Sequence, residues 1–265
     1  MKGTAVDPSW TGGAAGERAV CVLCPNPSPR TLDGTNTWVL AEPGSDEVVV
    51  VDPGPLDEAH LEAVVSQVRE SGRRIALTLL THGHLDHAES AERFHELTGA
   101  SVRGFGRGHD DVREGETITV GGLEILVVPT PGHTSDSFSF VLPADNTLLT
   151  GDTVLGRGTS VVAWPDGNLE AYLESLSRIE SLTGAGAVTS LLPGHGPTVD
   201  DAAATVTFYL QHRAERLEQV RAAVARGAQT AYDVVETVYA DVPRSVWPAA
   251  EQSVQAQLEY LRTHP

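Results

Sequence analysis

The chain has 265 residues, 40% of them hydrophobic, and carries 36 acidic against 18 basic side chains for a net charge of −18. That length holds one large domain, or a domain with a small appendage. The acidic balance repels phosphate backbones at long range and favours cations; no apolar run is long enough to span a bilayer, and the first twenty residues lack a signal-peptide core, so a cytoplasmic location is expected.

In chain order, RAVCVLC reads as a strand holding Cys21 and Cys24. A C-x-x-C pair is half of a zinc knuckle, but no second pair completes it, and on a strand i and i+3 point to opposite faces. Two small buried side chains are the expectation. TWVLAE (37–42) and EVVVVDPG (47–54) form a strand pair around Pro43 and Gly44. EAHLEAVVSQVRESG places Leu61, Val64, Val65 and Val68 on one helical face closed by Gly72. RIALTLLT has the continuous apolar character of a buried strand and leads into His82. A short amphipathic helix ending at Gly99 follows.

ETITVGGLEILVVPTPGHT predicts two strands joined by Gly-Gly, and SFSFVLPADNTLLTGDT predicts two more. NLEAYLESLSRIESL is a helix, and GAVTSLLPGHGP a last strand and loop. Strand–helix alternation with paired antiparallel strands makes the fold class α/β with mixed sheets. Strand signals vanish past residue 200. Helices are expected over 202–227, 230–241 and 245–265, the last beginning after Pro248. The expected division is a catalytic domain over 1–200 and a helical domain over 201–265.

THGHLDHAES gathers His82, His84, Asp86 and His87 within six positions, which no core-packing argument requires. His133 in TPGHTSDS, Asp152 in LLTGDTVLG and His195 in LPGHGPT also stand at predicted strand ends, where a rigid scaffold converges side chains on one point. Imidazole and carboxylate suit zinc first, with manganese or iron as alternatives. In an extended loop His82 and His84 grip one ion, Asp86 and His87 fall past the bend and grip a second, and Asp152 is the available bridging carboxylate. His60, His95, His109 and His264 read as surface residues. Asn36 and Trp38 in GTNTW read as a turn and a core residue rather than cleft lining, and 156–168 as a substrate-side loop.

Through THGHLDH, PGHT, GD and PGHG in order, residues 20–200 resemble the metallo-β-lactamase superfamily. The resemblance implies an αβ/βα sandwich with a dinuclear site at one edge. It implies that His82, His84 and His133 hold the first metal, that Asp86, His87 and His195 hold the second, and that Asp152 bridges them. A hydroxide between two such cations is a nucleophile at neutral pH, so a metal-dependent hydrolase is expected. Asp86 is the expected catalytic residue, orienting the nucleophile.

Three branches of that superfamily are separable. Zinc β-lactamases of the best-known kind place cysteine where this chain has Asp152, which argues against antibiotic hydrolysis. Glyoxalase II-like thioesterases share all seven ligand positions but bind glutathione partly through late basic residues, whereas the tail here holds six arginines, no lysine and eight acids. NPSPRTLDGTNTWVL and GHGPTVDDAAATVTFYLQHRAERLEQV resemble the β-lactamase-like protein 2 group. That group implies a winged-helix-like C-terminal domain and, in animal members, endonuclease action on single-stranded RNA. A wing hairpin does not follow EYLRTHP, so the expected tail is winged-helix-like without its wing. Single-stranded RNA is the leading substrate and a small ester or thioester the competitor. The non-enzymatic alternative, a binding module with a degenerate metal site, conflicts with seven filled ligand positions.

Overall fold

A computed structural model describes residues 10–104 and 110–264. Seven strands form one sheet: β1 (Gly13–Ala15), β2 (Ala19–Leu23), β3 (Asn36–Leu40), β4 (Glu47–Val51), β5 (Arg74–Leu79), β6 (Ser101–Gly104) and β7 (Asp110–Asp111), in that spatial order. The first three pairings are antiparallel and the last three parallel. The second sheet holds β8 (Thr117–Val120), β9 (Leu123–Pro129), β10 (Phe138–Leu142), β11 (Thr147–Gly151) and β12 (Ser190–Pro193), with only β11 and β12 parallel. The Gly-Gly connection between β8 and β9 takes positive φ at both Gly121 (55°) and Gly122 (91°), the conformation a tight two-residue hairpin needs.

Unbroken apolar strands are explained by the two cores they serve. Val49 and Val51 face the inter-sheet core with Trp38, Leu79, Phe140 and Ile125, while Val48 and Val50 face outward onto Leu61, Val64, Val68 and Phe94. Side chains alternate along a strand, so a strand buried on both faces has no polar face. Helices α1 (Glu58–Glu70), α2 (Leu85–Ala88) and α3 (Ala91–Thr98) belong to the first sheet's half, and α1 and α3 cover its outer face. Asp57 caps α1 by accepting from the amides of Ala59 and His60, satisfying donors that the first helical turn leaves unpaired.

The second sheet is covered by α4 (Leu169–Gly184) and the first half of α5 (Ala202–Ala225), through Tyr172, Leu176, Ile179, Val206 and Tyr209. The layers are therefore helix, sheet, sheet, helix, as expected. The second half of α5 packs on α6 (Ala231–Val238) and α7 (Trp247–Thr263) around Val220, Val234, Val235 and Val254. From α7, Ala256 and Tyr260 reach back to the core beside the second sheet. This last helix starts at Trp247, one residue before Pro248 rather than after it, because proline fits the first turn, where its missing N–H is not needed.

His60 corrects a sequence expectation. It is buried, and its Nε2 lies 2.8 Å from Thr37 Oγ1, which itself donates to the Asp52 carbonyl. His60 sits on the α1 face with Val64 and Val68, at helical spacing. His95 and His264 are exposed as expected, and His109 lies outside the described residues. Burial pushes the His60 imidazole down to about 4, so it is neutral at pH 7 and the unfolded chain takes up its proton first. Stability from this group is full above about pH 6.5 and is lost as pH falls toward 4. Urea unfolding at pH 7 and pH 5 should show wild type losing about 2 kcal/mol more than His60→Gln between those values.

Candidate metal centre

Five strand ends meet at one edge of the sandwich. Asp52 follows β4, Thr81 and His82 follow β5, His133 follows β9, Asp152 follows β11 and His195 follows β12. All seven expected side chains come together in two adjoining clusters. One holds His82, His84, His133 and Asp152, the other Asp86, His87 and His195, with the donor atoms of each cluster within 4.8 Å of one another. Asp152 lies between them: its Oδ2 is 3.6 Å from His133 Nε2 and 3.4 Å from His195 Nε2, and its Oδ1 is 3.4 Å from His87 Nε2.

Hydrogen bonds on the far side of each ring decide what the near side offers. The carbonyls of Val161 and Gly34 only accept, so His133 Nδ1 (2.6 Å) and His195 Nδ1 (3.0 Å) are the protonated nitrogens. His87 Nδ1 donates to Asp52 Oδ2 at 2.9 Å. The rings therefore turn Nε2 inward, and His87 and His195 set these nitrogens facing each other across 3.2 Å. Two bare ring nitrogens cannot bond to each other, and neither can two N–H groups. A cation between them resolves the contact, and the buried Oδ1 of Asp152, which has no hydrogen-bond partner, offers such a cation a negative ligand. The donor set fits divalent metal.

Charge within the site is unevenly spread. Burial pulls His82 well below the ordinary imidazole range and His84 down to about 4. Burial also opposes charge at His87 and His195, but the carboxylates of Asp152 and Asp86 outweigh it, holding His87 well above its ordinary range and His195 at about 9. Asp86 is held to about 2, since His87 and His195 overcome the effect of its burial. The Asp86, His87 and His195 side thus draws positive charge most strongly.

Asp52 is the residue that motif reading missed. Its carboxylate accepts from Thr81 N at 2.7 Å, from Thr81 Oγ1 at 2.6 Å and from His87 Nδ1. Thr81 Oγ1, its proton committed to Asp52, accepts from His82 Nδ1 at 3.0 Å. One carboxylate thereby orients a histidine in each cluster. The sequence signal was an aspartate closing a valine-rich strand before Pro-Gly. Partners of this kind fix the tautomer and direction of a metal-binding ring.

Asn36 and Trp38 are buried, and both grip the loop that carries His195. Asn36 Nδ2 donates to the carbonyls of Pro193 and Gly196, each at 2.8 Å, and Trp38 Nε1 donates to Pro193 at 3.0 Å. At Gly194 an added Cβ would lie 2.7 Å from Asp152 Oδ1 and 2.8 Å from His87 Cε1, so only glycine lets this loop approach. Cys21 and Cys24 are free and buried, and burial pushes both thiols up to about 12. They are core residues, as expected.

The chain belongs to the metallo-beta-lactamase superfamily, a family of hydrolases, whose model matches residues 30–109 and 103–195. A beta-lactamase associated winged helix domain matches residues 230–264. Relatives include a beta-lactamase-like protein 2 homolog of Caenorhabditis elegans, 31% identical over 91% of this chain and 82% of that one. An atrochrysone carboxyl ACP thioesterase of Aspergillus fumigatus is 32% identical over 86% of this chain and 76% of its own length. A beta-lactamase domain protein from Burkholderia ambifaria shares the fold, with a TM-score of 0.81 at 23% identity and coverage of 98% and 91%. Among the described residues, no helix is long and apolar enough to cross a membrane.

Asp52→Asn should keep the fold and lower metal affinity about 10- to 100-fold, because an amide nitrogen facing the His87 or Thr81 donors leaves one of them unmatched. Zinc titration against a competing chelator, with thermal unfolding as the fold control, reads this directly.

Proposed function

We propose that the chain is a hydrolase that holds two divalent cations, most simply zinc. His82, His84 and His133 would take one, Asp86, His87 and His195 the other, and Asp152 would be shared. The catalytic part would be residues 1–200 and the appended helical part 201–265. The observation that carries this reading is the facing pair of Nε2 atoms on His87 and His195, beside an Asp152 oxygen that has no hydrogen-bond partner. When bound, two such cations supply Lewis acidity and acidify bound water.

The protein's own groups do the rest. His82, His87 and His195 are buried, whereas His84 and Asp86 are part-exposed, so substrate enters over those two. Asp86, ionised at neutral pH, stands 3.2 Å from His195 Nε2 and is placed to accept a hydrogen bond from an attacking water and to turn its lone pair toward substrate. Leu85, between them, is 69% exposed and gives the mouth an apolar lip.

A small ester or thioester is the substrate class best supported. Four of the tail's six arginines are committed within the chain: Arg213 is buried, Arg216 lies over Tyr239, Arg244 over Trp247, and Arg221 pairs with Glu218. That leaves little cation for phosphates, whose neutralisation drives polyanion binding. The thioesterase name of one relative points the same way. Single-stranded RNA is the second reading, favoured by the winged-helix match and by the relatives named beta-lactamase-like protein 2 homolog.

Metal-replete protein should hydrolyse an acyl thioester or aryl ester and lose at least about 100-fold in rate on chelation or as His133→Ala. Unstructured RNA tested in parallel at low salt should stay intact. Metal-dependent RNA cutting without ester turnover would reverse the order of substrates, and no metal uptake by wild type would overturn the hydrolase mechanism.

A further inference from the structure

The stretch between Asp152 and Gly167 faces the metal centre with one edge and the C-terminal helices with the other. On the centre's side, Ser160 Oγ donates to the Asp152 carbonyl, the Val161 carbonyl accepts from His133 Nδ1 at 2.6 Å, and Ala163 N donates to the His133 carbonyl at 3.0 Å. On the helices' side, Arg213 of α5 donates to the Ser160 carbonyl, Ser253 Oγ of α7 accepts from Val162 N at 3.2 Å, and Tyr209 of α5 accepts from Leu155 N at 2.8 Å. Three consecutive residues, 160–162, therefore join the tail to a ring in the first cluster.

Arg213 is the costly member of this strut. It is 4% exposed, its guanidinium carbon lies 4.7 Å from the Tyr172 ring centroid, and its Nε has no hydrogen-bond partner. Burying a guanidinium forfeits its hydration, and an apolar side chain of similar volume is commonly neutral or stabilising in its place. What the guanidinium adds is a directed bond to one peptide group. That peptide precedes the carbonyl that fixes His133.

We propose that Arg213 is a positioning residue for the first cluster, holding Ser160–Val162 so that the Val161 carbonyl keeps His133 Nε2 aimed at the cation. The inference rests on the two-cation reading above. The helical tail is on this view part of the metal site's frame.

The test is stepwise zinc titration of the full chain against a chelator, with thermal unfolding in parallel. The first-cluster step is identified as the one that His133→Ala removes, and the other as the one that His195→Ala removes. Arg213→Met should weaken the first-cluster step by about tenfold or more while the other stays within about threefold, with the melting temperature unchanged or raised. Arg213→Lys, which keeps one donor, should recover part of the loss. Unchanged affinities overturn the proposal, as does an equal loss at both steps with a lowered melting temperature, which marks a merely structural role. If Arg213→Met does not fold, Ser253→Ala decides: a several-fold loss at the same step supports the strut, and unaltered steps remove it. A wild-type chain that takes up no zinc overturns the two-cation reading itself, whereas failure in the variants alone leaves that reading intact.

Discussion

The Asp52 carboxylate is the contact on which the centre's geometry depends. Strand β4 ends one residue earlier, and Asp52 itself takes a left-handed φ of 53°, a conformation that aspartate tolerates better than most residues. That turn aims both oxygens at the neighbouring strand end. There they meet the Thr81 amide and hydroxyl and the His87 ring. Because β4 and β5 are parallel neighbours joined by the α1 crossover, their C-terminal ends lie side by side. One buried anion thus directs a ring of each cluster.

The two-sided cores give that contact its rigidity. Val49 and Val51 lock β4 to the opposite sheet while Val48 and Val50 lock it to α1, so the strand end has no face on which to relax. The second sheet does the same for Asp152 and His195 through Leu148 and Leu149, and through Leu191 and Leu192. Asn36 then ties the sheets together at the edge, since its amide and backbone reach the loop around Gly194. Two facing ring nitrogens with nothing between them would push an unsupported loop apart. Here the scaffold holds them in place for a cation.

What sequence reading recovered was local chemistry. His82, His84, Asp86 and His87 lie in one short loop, and His133, Asp152 and His195 each follow an apolar run, so spacing and strand ends were enough to gather them. Pairing order, and contacts between distant segments, were not local. Asp52 supports His87 from 35 positions away, and its bond has no spacing rule. His60 was misread because a single polar residue on an apolar stripe resembles a surface position until its Thr37 partner is known. The short strands β1, β6 and β7 carried too few apolar residues for a period to register.

The tail brings charge and framework into a single argument. An acidic chain concentrates cations around itself and repels polyanions at long range, which helps a metal centre fill and hinders an approaching phosphate backbone. Tail arginines could have offset that locally, yet Arg213, Arg216, Arg221 and Arg244 are spent on a carbonyl, on tyrosine and tryptophan faces and on a glutamate. Arg213 in particular lies too deep to meet any ligand from solvent. Its charge acts through the Ser160–Val162 stretch on His133, so the helices that follow the catalytic sandwich contribute direction to the site more than attraction to a substrate. Substrate choice then falls to the open side of the centre, where His84 and Asp86 flank the exposed Leu85. On the proposed reading, an acyl group whose apolar body rested on that lip would bring its carbonyl carbon to the side where Asp86 is placed to orient water.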